Sequence, residues 1–109
     1  MSLPVVANID ILRTLAFGGV SGTYAPVGPP FLFACRLICF NNTTDGDMFF
    51  SDDGISDKLF IAANSFKLFD ITSNRAAAGS VWVFPVGKQF LVKQSTVATK
   101  GAVYIEVIY

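Results

Sequence analysis

Residues 41–57 read NNTTDGDMFFSDDGISD, and the fold turns on them. Two polar clusters bracket a short apolar run, Met48-Phe49-Phe50. The clusters carry Asp45-Gly46 and Asp53-Gly54. Such dipeptides favour tight hairpins, because Gly accepts positive φ and Asp bonds nearby backbone. One hairpin, or two in succession, is the expected result, with Asp45, Gly46, Asp53 and Gly54 as turn residues. The same grammar continues in both directions: short β-prone runs cut by Gly, Asn, Asp, Ser and Pro.

Upstream, residues 31–40 read FLFACRLICF. Their near-continuous apolarity predicts a strand covered on both faces, or one whose outer face meets a partner. The flanking Pro29-Pro30 and Asn41-Asn42 argue against helix. Residues 25–30, APVGPP, exclude helix and central strand and predict a crossing or exposed loop. In 9–17, Ile9, Ile11, Leu15 and Phe17 share one parity with Arg13, which predicts a half-buried strand. A second short strand is expected over 20–24. Residues 1–8 read as an extended arm or an added edge strand.

Downstream, strands are expected over 58–62 and 66–72, then a loop over 73–80 with one helical turn at 76–78. Residues 81–84 are the next predicted strand. Pro85-Val86-Gly87 predicts a tight turn with Gly87 at positive φ. Strands over 89–94 and 102–109 follow. The first puts Phe90 and Val92 on one face, the second Val103, Ile105, Val107 and Tyr109. About eight short strands predict an all-β chain: a single-domain β-sandwich, jelly-roll or Ig-like, or a small barrel. One domain spans 1–109.

A chain of 109 residues can bury one core without staples. Its hydrophobic share of 52% is high, its charged share of 15% is low, and it has 11 Phe. A small sheet protein cannot easily hide so many, so apolar surface is expected for a partner. Formal net charge is zero. That favours assembly and gives no overall pull toward nucleic acid or anionic membrane. Pro4, Asp10 and Arg13 spoil any secretory apolar segment. On one strand Cys35 and Cys39 would stand roughly 13 Å apart at Cα. A disulfide needs less than about 7 Å, so both read as buried thiols, suited to a reducing cytoplasm.

The chain has no His. Ser-His-Asp and Cys-His sites are therefore impossible and the usual neutral-pH base is missing. Asp45, Asp47, Asp52, Asp53 and Asp57 form the one acidic cluster. A hard cation would want such oxygens. Their spacing does not fit an EF-hand, and Asx-turn roles account for them. Trp82 with Tyr24, Tyr104 and Tyr109 suggests either packing or a sugar-stacking platform. Lys88, Lys93 and Lys100 read as edge charges that discourage strand-to-strand aggregation. No cofactor or metal is expected. The candidate protein-interface residues are Phe31, Phe33, Phe49, Phe50, Trp82 and Tyr109.

Several segments carry a resemblance. They are Asn41-Asn42-Thr43-Thr44-Asp45-Gly46-Asp47, Ser51-Asp52-Asp53-Gly54 and Phe69-Asp70-Ile71-Thr72-Ser73-Asn74. Later come Pro85-x-Gly87, Phe90-x-Val92-Lys93-Gln94-Ser95 and Lys100-Gly101-Ala102-Val103-Tyr104, with Arg13-Thr14-Leu15-Ala16-Phe17-Gly18 near the start. Together, over residues 13–109, they resemble small virion structural proteins of tailed bacteriophages. The resemblance implies a non-enzymatic β-rich protein in many copies or a homo-oligomer, made in the host bacterial cytoplasm and located in the virion. It implies head decoration or cement, with a head–tail connector, neck or tail component as the alternative. The implied partners are other virion proteins: the major capsid protein or portal and neck proteins. Membrane and direct nucleic-acid roles are not expected. A carbohydrate-binding β-sandwich is the reading from another class.

Overall fold

Alternation sets the faces of the strands. In a computed structural model that describes residues 8–70 and 84–109, the strands are β1 (Arg13–Ala16), β2 (Ala25–Pro26), β3 (Leu37–Asn42) and β4 (Met48–Ser51), followed by β5 (Leu59–Ile61), β6 (Ser65–Asp70), β7 (Leu91–Gln94) and β8 (Ala102–Ile108). Ile38, Phe40 and Asn42 of β3 point inward, as do Met48 and Phe50 of β4 and Val103, Ile105 and Val107 of β8. Phe40 centres the core. Its ring meets Phe50, Phe69 and Phe90 edge-on at centroid distances of 5.3, 5.9 and 4.9 Å. Each fully buried ring of this kind contributes roughly 1.5–3 kcal/mol.

The strands form two antiparallel sheets, ordered β1-β8-β3-β6 and β2-β7-β4-β5. The pairs β1–β8, β2–β7, β3–β6 and β4–β5 are the rungs of one long hairpin. Its closing turn is the β4–β5 connection. Coiling that ribbon lays β3 against β8 and β4 against β7. This is the jelly-roll order, and it selects among the sandwich and barrel alternatives. The two legs of the ribbon differ in length at its middle. Cys35 pairs with Phe84 and Leu37 with Asp70, so the outgoing leg has only Arg36 between the pairs where the return leg has residues 71–83.

Several expectations change. The apolar run 31–40 is not one strand. Its first part crosses from the second sheet to the first, with Phe31 and Cys35 buried on the way, and pairing in β3 begins at Leu37. The strand near the N-terminus is shorter than 9–17. Ile9, Ile11 and Phe17 are exposed, and the buried residue of that parity is Arg13. Arg13 is tolerated because its cation is fully engaged. Nε donates to Pro29 O at 2.8 Å and Nη2 to Pro30 O at 3.4 Å; Asp10 pairs with it at 3.1 Å, and Phe31 lies beneath, 4.8 Å from the guanidinium carbon to the ring centroid. Gly28, at φ 71°, lets the loop close over this side chain: an added Cβ would fall 2.6 Å from Arg13 Cγ.

No strand forms over 20–24. The short strand lies at Ala25–Pro26, where the edge of the second sheet tolerates proline. Only one of the two Asp-Gly turns is a hairpin. Asp53-Gly54 closes β4 onto β5, with Gly54 at φ 73°. The Asp45-Gly46 stretch instead carries the chain between sheets. Asn42 drives that crossing from inside: its Nδ2 donates to Gly46 O at 2.8 Å and Ile61 O at 3.1 Å, while its Oδ1 accepts from Thr44 Oγ1 at 2.6 Å. The expected turn at 85–87 forms, with Gly87 at φ 89°. Of the predicted strand 81–84 only Phe84 is described. The 73–80 loop with its turn at 76–78, residues 71 and 72 of the predicted 66–72 strand, and residues 1–7 of the arm lie outside the described residues. Asn8 exchanges two backbone bonds with Tyr109, at 2.8 and 2.9 Å. Among the described residues no helix is long and apolar enough to cross a membrane.

Candidate protein-interaction surface

The acidic cluster does not converge. Asp45 bonds the Thr99 hydroxyl and accepts from Thr99 N at 2.7 Å. Asp47 accepts from Ala63 N at 2.9 Å. Asp52 joins Lys58 at 2.6 Å and Lys88 at 2.9 Å. Asp53 accepts from Ser51 Oγ at 2.6 Å and from the N–H groups of Ile55 and Ser56 at 2.8 and 2.9 Å. These bonds favour the ionised forms. The Thr99 hydroxyl holds Asp45 below the usual carboxylate range, Lys58 and then Lys88 do so for Asp52, and Ser51 does so for Asp53. Among the described residues no group of three or more His, Cys, Asp or Glu is placed to hold a metal. The carboxylates order turns and staple loops.

The outer face of the second sheet is partly covered by its own side chains, with Phe60 41% exposed. Phe60, Phe49 and Lys93 lie in one row across β5, β4 and β7. Phe49 and Phe60 meet edge-on at 5.5 Å. Lys93 Nζ sits 5.0 Å from the Tyr24 ring centroid and 5.8 Å from that of Phe49. Asp57 completes the row, 2.9 Å from Lys93 Nζ and accepting from Tyr24 Oη at 2.5 Å. The Tyr24 bond, then Lys93, lowers the Asp57 pKa; desolvation, then the same bond, raises that of Tyr24.

Among the described residues nothing covers the outer face of the first sheet in this way. Register sets its rows: Leu68–Cys39–Glu106, and Phe66–Asn41–Tyr104–Thr14 beside it. Leu37 and Ile108 pair in the next row. Phe66 is 65% exposed and Leu68 55%. Ile9, Leu37, Cys39, Leu68, Glu106 and Ile108 surround an apolar hollow of about 250 Å³.

The predicted interface residues scatter. Phe31 and Phe50 are in the core, so neither is on the surface. Phe49 is half-buried between Phe60 and Lys93 on the second sheet. Phe33 is exposed but stacks on half-buried Tyr109 at 4.2 Å between centroids. Trp82 lies outside the described residues. The tyrosines do not share a platform: Tyr24 lies on the second sheet, Tyr104 on the outer face of the first, and Tyr109 against Phe33. Lys88 and Lys93 are ion-paired with Asp52 and Asp57. Cys35 is buried, and burial pushes its thiol up to about 11; Cys39 is half-buried on the outer face, a correction to the expectation of two buried thiols.

Sequence reasoning missed Phe66 and Leu68. β6 offers two parities, Phe66/Leu68 and Ser65/Lys67/Phe69, and the more apolar one faces out. No sequence signal chose between them: Phe69 turns inward where its ring meets Phe40, and Lys67 goes with it to the inward side of the sheet's rim. Compared with known protein families, characterised proteins and solved structures, the chain matches none.

Proposed function

We propose that this protein is a non-enzymatic structural component of a tailed-bacteriophage virion. Its role is capsid decoration or cement, binding other capsid subunits; a neck or head–tail connector part is the nearest variant. The observation that carries the proposal is the apolar outer face of the first sheet, which no described residue covers. Phe66 and Leu68 stand exposed beside Leu37 and Ile108 on a hydrogen-bonded sheet. Contiguous apolar surface of this kind marks protein contact sites. The jelly roll supports the reading at the level of fold, since it recurs in viral capsid proteins; lectin domains share it, so fold alone does not decide. The resemblance in residues 13–109 points the same way.

Purified particles supply the test. The chain should be found in mature virions by mass spectrometry, and a reconstruction should locate it on the shell in many copies. A low copy number at the portal vertex would move it to the neck. Its absence from mature particles ends the proposal.

A further inference from the structure

Among the described outward positions of β1, β8, β3 and β6, the charged residues are Glu106 and Asp70, and none is basic. Glu106 is exposed and lies in one row with Cys39 and Leu68, at the rim of the apolar hollow. A second copy laid on this face about a two-fold axis would bring a second Glu106 onto the same apolar surface. Like-charge juxtaposition at a desolvating interface is costly. Among the described residues β6 edges the sheet, and that edge is also poorly suited to a second copy. Lys67 sits on the inward-facing side of β6 and is exposed there, a placement that discourages strand pairing.

We infer that this face docks a different protein rather than a second copy: an apolar patch carrying a Lys or Arg set against Glu106. This deepens the virion proposal and rests on it, the partner being a shell subunit. Apolar contact around Leu68 supplies the affinity, and the basic side chain opposite Glu106 fixes the register.

Particles assembled without this protein are the probe. Wild type, Leu68→Glu, Glu106→Lys and, on the other sheet, Phe60→Glu are titrated onto them by co-sedimentation. Thermal melts establish that each variant is folded, and sedimentation velocity gives the size of each free protein. Wild type and Phe60→Glu should bind alike. Leu68→Glu should bind at least about a hundredfold more weakly and Glu106→Lys about tenfold. The free size should be the same for wild type and Leu68→Glu. If folded Leu68→Glu and Glu106→Lys bind as wild type does, the inference is overturned while the virion reading stands. If Leu68→Glu turns a wild-type dimer into a monomer, a second copy is the occupant and the inference is overturned. If wild type binds no particles and is absent from mature ones, the virion reading falls and takes the inference with it.

Discussion

The two sheets bury similar inner faces and finish their outer faces differently. On the second sheet, Phe60, Phe49, Lys93, Tyr24 and Asp57 cover one another in a row that ends in an ion pair. On the first, Phe66 and Leu68 have neighbours of modest size, Asn41 and Cys39, and stand open. Both faces are rich in apolar side chains, so composition does not separate them. The difference lies in reach. A long cation between two rings can satisfy itself, its carboxylate and the aromatic faces together. A short polar residue between two apolar ones covers neither. Surface left for a partner is therefore a matter of which residues the register sets side by side.

Removing what holds both faces in place should have the largest effect. Phe40 touches three other rings on the inner side of the sandwich. Phe40→Ala should cost about 3–5 kcal/mol in urea unfolding, through lost burial and a cavity. The two faces should be lost in one transition. Separate transitions for probes on the two sheets would mean that the sheets do not share a core.

The two Asp-Gly turns give the next contrast. An added Cβ at Gly46 would lie 2.5 Å from Thr96 O and 3.0 Å from Ala98 N, both backbone atoms. Gly46→Val should therefore destabilise by about 1–3 kcal/mol through overpacking. At Gly54 the Cβ has room, 3.6 Å from Leu91 Cδ2, and the penalty is the φ of 73°. Gly54→Val should cost about 1–2 kcal/mol. Equal stability of both variants and wild type would break this account of the turns.

That contrast also marks what the sequence made legible. Alternation in residues 102–109 assigned the inner face of β8 correctly, and Asp53-Gly54 and Pro85-Val86-Gly87 identified their turns. Asp45-Gly46 looked the same as Asp53-Gly54, yet one crosses between sheets and the other closes a hairpin. The difference is made by Asn42, whose amide reaches carbonyls far along the chain at Ile61. Arg13 is a second case: its burial is satisfied by Pro29 and Pro30, and periodicity cannot see acceptors supplied by a distant loop. The open face was hidden for the same reason. Periodicity assigns faces to strands and leaves their neighbours undetermined.

Acid should act mainly through the second sheet and its hairpin. Asp52, Asp53 and Asp57 all have folded pKa values below the ordinary carboxylate value, as does Asp45 at the sheet crossing. A depressed folded pKa gives stability that is fully present above the unfolded value, near about 4, and lost as pH falls through the folded value. The melting temperature should therefore drop below about pH 4. Asp57→Asn removes one such group and should make the decline shallower, while lowering stability at neutral pH. An unchanged pH slope in Asp57→Asn would detach the Tyr24–Asp57–Lys93 row from the fold's stability.

The smallest effects compare the faces most directly. Phe60→Thr and Phe66→Thr make the same chemical change on outward positions of strands that edge their sheets. Thr keeps the β-preference of the strand, so the difference between the variants reports side-chain contacts. Phe60 loses its edge-on partner Phe49, and Phe60→Thr should cost about 0.5–1.5 kcal/mol. Phe66 is 65% exposed and lies beside Asn41, so Phe66→Thr should stay within about 0.5 kcal/mol of wild type. Chemical denaturation at one pH measures both. A loss at Phe66 equal to that at Phe60 would mean that the first sheet's outer face serves its own fold. A neutral Phe66→Thr means that the ring contributes nothing to folding and is available for an interface.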